Sequence, residues 1–434
     1  MPDVIMVGGG ICGLQLAALL ASDGMEVVVL EKLAHLGGRA FLWEKDGFIV
    51  DNGIHLIRFG PKSATAKVFQ RLGRPLPLVN LGTNFVAFPE GRVVELPLSN
   101  AKLAEGGLIS AEEAKQAREL FRSLQSQDPR ELLETSVAEW MDRWKIGGGL
   151  RHYFHLVSAA MQVCPFLARA SAGEMLLNLG RAFAKGYPAM YPAQGWGYIY
   201  EVLIEAIKAK GEVRTGARVR KVVVEQGRAK GVELESGERL TADRVVINLP
   251  CQQLFEVLDQ ALVPAEFAAL CKGLQPTAGL SIDYGLNRRV SEDRGLWYLW
   301  EPMSFGIFTS NLCPELAPPG KQLLTWFMPA DVADMKDPGR AQAIESALER
   351  AIFQLFPELE PAVEWRRALR LTMVDGAEVN TSQHRNRRPG YRVPGIDGLF
   401  LVGDSLKAPG AGGDIGHESV LRAYQEITGK RLEL

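Results

Sequence analysis

A surplus of charge of either sign is missing: 49 Lys and Arg stand against 51 Asp and Glu in 434 residues, a formal net charge of −2. Nucleic-acid binders usually carry a basic surplus, so that class is excluded; Arg385, Arg387, Arg388 and Arg392 form the one basic cluster. Cysteine is scarce. The five residues (Cys12, Cys164, Cys251, Cys271 and Cys313) are scattered, odd in number and without metal-ligand spacing. That excludes a structural metal centre and argues against a disulfide framework, which fits a reducing, cytoplasmic setting. No unbroken run reaches the ~20 apolar residues of a membrane span. The apolar stretch from Val4 to Met25 is interrupted by three consecutive glycines and Asp23. The N-terminus lacks a charged n-region and a cleavage site, so no signal peptide is expected. Apolar residues at 47% and charged residues at 23% exclude wholesale disorder.

Glycine is in excess, at 45 residues, against a typical ~7% of a chain. Much of its meaning lies near the start. Val4-Ile5-Met6-Val7 reads as a buried parallel strand, Gly8-Gly9-Gly10-Ile11-Cys12-Gly13 as a turn, and Leu14, Ala17, Ala18 and Ala21 as one face of a helix stopped by Asp23-Gly24. Val27-Val28-Val29-Leu30 is a second buried strand, ended by Glu31. A Gly-x-Gly-x-x-Gly spacing means little alone; between a strand and a helix, with an acid after the next strand, it is a dinucleotide site. Gly8 permits the turn, Gly10 lets backbone approach a diphosphate, and Gly13 lets helix pack on strand. Glu31 is placed to accept hydrogen bonds from ribose hydroxyls, and its charge disfavours the extra phosphate of NADP.

Further along, residues 111–149 read as helical, and 153–183 as two or more apolar helices interrupted by Pro165. Short strands come next (218–225, 231–234, 244–248), then segments rich in β-branched and aromatic residues (279–286, 296–300, 306–310, 322–328) that predict an antiparallel sheet. A helix is expected over 340–356, a buried strand over 399–402, and a last helix from about Ile415. A glycine-rich turn at each end predicts a nucleotide-binding domain interrupted by a second one. The expected division is 1–80, 191–265 and 366–434 for the nucleotide domain, 81–190 for a helical region, and 266–365 for a substrate sheet and helix.

The residues after Glu31 narrow the cofactor. Glu31-Lys32-x4-Gly37-Gly38-Arg39-Ala40 resembles the second signature of the FAD-dependent amine oxidase, phytoene desaturase and protoporphyrinogen oxidase superfamily. Gly47-Phe48-Ile49-Val50-Asp51-Asn52-Gly53 is closest to its desaturase branch. Pro192-Ala193-Gln194-Gly195-Trp196-Gly197, Ala217-Arg218-Val219 through Val246-Ile247-Asn248, and Gly398-Leu399-Phe400-Leu401-Val402-Gly403-Asp404 resemble its later flavin blocks. The resemblance implies an α/β fold: a Rossmann-like FAD-binding domain with an inserted α+β substrate domain. It also implies noncovalent FAD held by Gly8, Gly10, Gly13, Glu31, Gly38, Arg39, Val219, Gly403, Asp404, Gly413, Asp414 and Ile415. Of these, the backbone of Val219 would touch the adenine and Asp404 the ribityl–diphosphate portion. Gly412-Gly413-Asp414-Ile415 would bring a helix N-terminus to the flavin pyrimidine. The final helix departs from the family pattern at Gly416-His417-Glu418, where relatives carry small residues.

In such enzymes the flavin accepts hydride at its N5, so the protein supplies position and electrostatics. No nucleophile arrangement stands out and the catalytic residue is unassigned. His55 and His417 are acid–base candidates, each with the alternative of a hydrogen-bonded structural histidine. Trp297, Tyr298, Trp300, Phe305, Phe308, Tyr187, Tyr191, Trp196 and Tyr198 are divided between core packing and an apolar substrate wall. The leading expectation is desaturation or isomerisation of a small hydrophobic, isoprenoid- or carotenoid-like substrate. The alternatives are oxidation of a polyamine or amino acid, with Glu301 or Asp283 as the recognising acid, and a flavin-binding protein without turnover. Contact of 153–183 with a membrane surface is expected of a lipid-handling relative, against burial as a helical subdomain. The oligomeric state is not specified.

Overall fold

A computed structural model describes residues 1–96, 107–123 and 127–432. Its centre is a five-stranded parallel sheet in the order Leu399–Leu401, Arg244–Ile247, Val4–Val7, Val27–Leu30, Glu212–Arg214. Val4 stands opposite both Arg244 and Val27, so the first glycine turn emerges at the sheet's carboxyl edge between three strand ends. The helix Ile11–Ser22 is buried almost throughout, from Cys12 to Ala21. It packs between the helices Gly195–Lys208 and Gly413–Thr428. Burial on every side explains why its sequence is apolar all round. Among the described residues no helix is long and apolar enough to cross a membrane.

The second large sheet has seven strands: Val363–Leu371, Ala278–Leu286, Gln322–Ala330, Ser304–Ile307, Trp297–Leu299, Asn84–Ala87 and Val93–Leu96. All neighbours are antiparallel except Trp297–Leu299 beside Asn84–Ala87. Three of these strands lie outside the expected sheet segment or its boundaries. Asn84–Ala87 and Val93–Leu96 come from the stretch read as helical. Val363–Leu371 carries Arg366, Arg367 and Arg370, a composition that does not read as a buried strand. It sits at the sheet edge, where Arg366 and Arg370 reach Glu345 of the helix Pro338–Leu355 and Arg367 reaches buried Asp283. Cross-face pairing offsets the missing apolar alternation.

The helical region is built from Ala111–Ser123, Val137–Arg143, Gly148–Gln162 and Ala172–Lys185. Positions 124–126 of the expected helical stretch lie outside the described residues. Within 153–183 apolar side chains such as Phe154, Leu156, Met175 and Leu176 are buried and many others are half-buried, while Phe183, with Tyr187 just beyond, stays exposed. The sequence predicts a helix over Tyr200–Ala209 after a glycine-and-aromatic run; it spans Gly195–Lys208, taking in that run, with Trp196 buried in its first turn.

Candidate active site

The glycine turn is fastened from two sides. Glu31 accepts the Gly9 N–H through Oε2 and the Leu33 N–H through Oε1, each at 2.8 Å. Oε2 thus holds the glycine turn and Oε1 the segment just after Glu31 itself, and each keeps a second lone pair for a ligand. On the other side Asn248, at the end of the strand Arg244–Ile247, donates through Nδ2 to the carbonyls of Gly8 (3.3 Å) and Gly10 (3.2 Å). A Cβ on Gly10 would lie 2.9 Å from that same nitrogen. Gly10 is therefore required by Asn248 before any ligand is considered.

The second glycine loop joins the first through backbone. Gly37 N–H donates to Gly9 O at 2.9 Å, and a Cβ on Gly38 would stand 3.2 Å from Gly10 Cα. Gly38 has a φ of +60°, in the left-handed region that favours glycine. Next to it Arg39 donates to Asp404 Oδ1 (2.8 Å) and to the Val374 carbonyl (2.7 Å). Asp404 Oδ2 also accepts the Gly376 N–H at 2.9 Å. Burial pushes the Asp404 carboxyl up, but the Arg39 charge and these hydrogen bonds outweigh it and hold the carboxyl below its ordinary range. Asp375, bonded to Thr277, is raised to about 6 by burial and by the nearby charge of Asp404.

The last helix closes the arrangement. A Cβ on Gly416 would lie 2.6 Å from Cys12 Sγ and 3.6 Å from Asp404 Cβ, so this helix abuts the start of the first. Burial, then the Asp404 charge, push the Cys12 thiol up to about 12, leaving it a packing group with no thiolate character. Gly403 donates its N–H to Ser419 at 2.9 Å. Asp414 and Glu418 share Arg181, at 2.8 and 2.6 Å. Ile415 is fully buried. Val219 pairs with Leu234 in a separate three-stranded sheet, two residues after Ala217, whose N–H donates to Glu31 O at 2.8 Å.

Both expected histidines flank Trp196. His55 meets its indole edge-on at 5.8 Å and His417 stacks at 6.4 Å, measured between ring centroids. His417 Nδ1 lies 3.0 Å from Oε1 of Gln15, whose own amide nitrogen donates to Thr65 at 3.2 Å. That amide orientation makes Nδ1 the protonated nitrogen and leaves Nε2 as an acceptor. Burial lowers both histidines, His55 to about 4. Both are neutral at pH 7.

Gly8, Gly10, Gly13, Glu31, Gly38, Arg39 and Asp404 are thus linked by hydrogen bonds or close approach around the start of the first helix; Val219 is tied to this group only through Ala217, and Gly413, Asp414 and Ile415 open a second helix, with Asp414 turned to Arg181. Asn248, Gln15 and Asp375 join them without having been singled out. Only Asn248 left a signal, as the polar residue ending a buried strand. The aromatics divide by strand alternation. Trp297 and Phe308 sit in the core beneath the large sheet, whereas Tyr298 and Phe305 face the helical region. Glu301 is exposed, and Asp283 is committed to Arg367 (2.6 Å) and Thr325 (2.8 Å).

Asp51, which opens the turn toward His55, accepts from Tyr191 through Oδ2, while its buried Oδ1 has no partner among the described residues. Burial, reinforced by the charge of Asp283, raises it to about 7. An unfolded Asp ionises near ~3.9, so the stability tied to the protonated form is complete below that value and is lost as pH rises through about 7. Asp51→Asn is expected to flatten the melting temperature between about pH 5 and 8, and to exceed the wild type at the upper end. Parallel curves would contradict this.

The donor set fits an anionic, two-part ligand. The first helix has no side-chain cap and no acid in its first turn, which leaves N–H groups for a diphosphate. The last helix is likewise uncapped, and a Cβ on its exposed first residue, Gly413, would meet no atom within 4 Å.

The sequence profile described as flavin containing amine oxidoreductase matches residues 11–416. The chain is 27% identical over 336 residues to phytoene desaturase of Cercospora nicotianae, covering 67% of this chain and 52% of that protein, so it spans about half the relative's length. It is 24% identical to chloroplastic prolycopene isomerase of Daucus carota, across 94% of this chain and 77% of the relative. An oxidoreductase from Methanosarcina mazei shares the fold at a TM-score of 0.80 and 21% identity, over 98% of this chain and 100% of the other. Putrescine oxidase bound to putrescine does so at 0.74 and 16%, over 99% of each. With a family match across nearly its whole length and a parallel sheet that gathers the motifs at one edge, the chain belongs to the flavin-containing amine oxidoreductases, flavin-dependent enzymes of oxidation and reduction.

Proposed function

We propose that the chain binds FAD noncovalently and removes a hydride from a hydrophobic isoprenoid- or carotenoid-like substrate, desaturating or isomerising it. The observation that carries the cofactor is the joining of Gly8–Gly13, Gly37–Arg39 and Asp404 by direct contacts. Glu31 would take the ribose hydroxyls on its remaining lone pairs, the N–H groups of the first helix the diphosphate, and the N-terminus at Gly413 the pyrimidine. Bound FAD supplies the hydride acceptor.

The chain's own residues would orient the substrate, exclude water and handle a proton. Tyr298, Phe305 and Trp196 offer an apolar wall, which favours a hydrocarbon. Neutral His417 presents an acceptor at Nε2, with Nδ1 anchored by Gln15; His55, also neutral, is the second candidate. The amine alternative loses its recognising acids, because Asp283 is already paired and Glu301 points to solvent. Phytoene desaturase and prolycopene isomerase among the relatives support the polyene class.

Anaerobic incubation of the flavin-loaded protein with phytoene in detergent, or separately with putrescine, tests the reading. Polyene conversion seen by chromatography, with no flavin bleaching by the diamine, is expected. Bleaching by putrescine with no conversion of the polyene would replace it with the amine reading.

A further inference from the structure

On the far side of the loop that enters the last helix lies a cleft of about 530 Å³. Its charged lining is Arg130, Arg385, Lys407, Arg422 and Glu426. Their commitments are unequal. Arg385 is held by Glu174 at 2.5 Å, Glu426 by Arg392 at 2.8 Å, and Arg130 meets only exposed Asp128, at 3.2 Å. Lys407 and Arg422 have no ion pair among the described residues. Arg422 would ordinarily pair along its helix with Glu418 or Glu426, one turn away on either side. Glu418 is taken by Arg181 and Glu426 by Arg392, so the helix leaves this guanidinium without a carboxylate. Behind the cleft, fully buried Arg388 donates one Nη2 bond to the Ala408 carbonyl, a lining residue, and lies 3.6 Å from Glu174, the carboxylate that also holds Arg385, while its Nε and Nη1 lack hydrogen-bond partners among the described residues. Four cations thus line the wall against one carboxylate, Glu426, and two of the four, Lys407 and Arg422, have no ion pair among the described residues.

We propose that this cleft is a second anion site, taking a phosphoryl group of the diphosphate class. A concave wall with a cationic surplus focuses potential onto a multiply charged anion, and guanidinium forks match phosphate oxygens geometrically. Lys407 lies three residues before Gly410, so the anion would sit against the strap that leads into Gly412–Ile415. The ligand is either a free diphosphate or a phosphorylated lipid headgroup, which share this chemistry.

Titration of the FAD-loaded protein with inorganic diphosphate tests the site, because a filled flavin cradle removes competition from its own diphosphate positions. Calorimetry is expected to show saturable binding that weakens about tenfold or more in Arg422→Gln/Lys407→Gln, the usual scale for lost charge-assisted hydrogen bonds. Flavin content and spectrum should be unchanged in that variant. Vesicles of phosphatidylcholine doped with a phosphoinositide separate the sources: capture by these vesicles alone assigns a headgroup, and binding of the free anion a soluble ligand. Neither binding, or binding indifferent to the double substitution, would overturn the proposal.

Discussion

Gly13→Val is expected to abolish flavin retention and to destabilise the fold by about 2–3 kcal/mol, the upper range for overpacking a tight core. The first added carbon alone would lie 2.6 Å from Asn248 Nδ2 and 2.7 Å from the Gly8 carbonyl oxygen. Neither neighbour can yield cheaply. The carbonyl belongs to the turn, and the amide is the fastener that holds it. Relief therefore requires moving the first helix away from the strand end, which also moves the N–H groups meant for the diphosphate. Gly180→Ala is the control. Nothing lies within 4 Å of a Cβ there, and the residue is exposed within a helix. That change is expected to leave flavin content untouched and to stabilise by roughly 0.5–1 kcal/mol. Equal flavin retention in both variants would show that the turn does not carry the cofactor.

Arg39→Leu is expected to have the next largest effect. The guanidinium joins residues 335 and 365 positions away in sequence, through the Val374 carbonyl and the Asp404 carboxylate. Without it, Asp404 keeps backbone N–H donors, that of Gly376 among them, and faces Asp375. An uncompensated buried carboxylate costs ~3–5 kcal/mol; Arg39 is about two-fifths exposed, so ~2 kcal/mol is the expectation after solvent screening. The sign with pH is definite. Asp404 is depressed in the wild type, so its contribution is present above the unfolded value near ~3.9 and disappears as pH falls through the folded one. In the variant burial raises Asp404 instead, and stability declines as pH rises. The gap between the melting curves should be widest at neutral pH and close on acidification. A gap constant from acid to neutral pH would mean that packing, not charge, is what Arg39 contributes.

The motifs were legible where function is written in backbone. Strand, glycine turn, helix and acid occur in a fixed order, and each residue type has a steric or charge reason that needs no tertiary information. Glu31 shows the limit of that reading: its place at the end of the second strand is apparent from sequence, but its hold on the Gly9 and Leu33 N–H groups is not. Asn248 was missed because it matters only once the strand Arg244–Ile247 pairs beside Val4–Val7, and no local spacing encodes that pairing. The strand Val363–Leu371 was missed for a related reason. Its arginines are satisfied by Glu345 and Asp283, which come from different elements. Asn84–Ala87 joins the large sheet through a parallel neighbour more than 200 residues away, beyond the reach of periodicity. The histidine pair was visible as two residues, but not as partners around one indole, since Trp196 is far from both in the chain.

Flavin content of the purified protein is the most direct test. The account predicts a yellow protein whose FAD is released intact on heating and rebinds after removal, with rebinding lost in Gly13→Val and Arg39→Leu and kept in Gly180→Ala. A well-folded, colourless protein that takes up no FAD on reconstitution would contradict it.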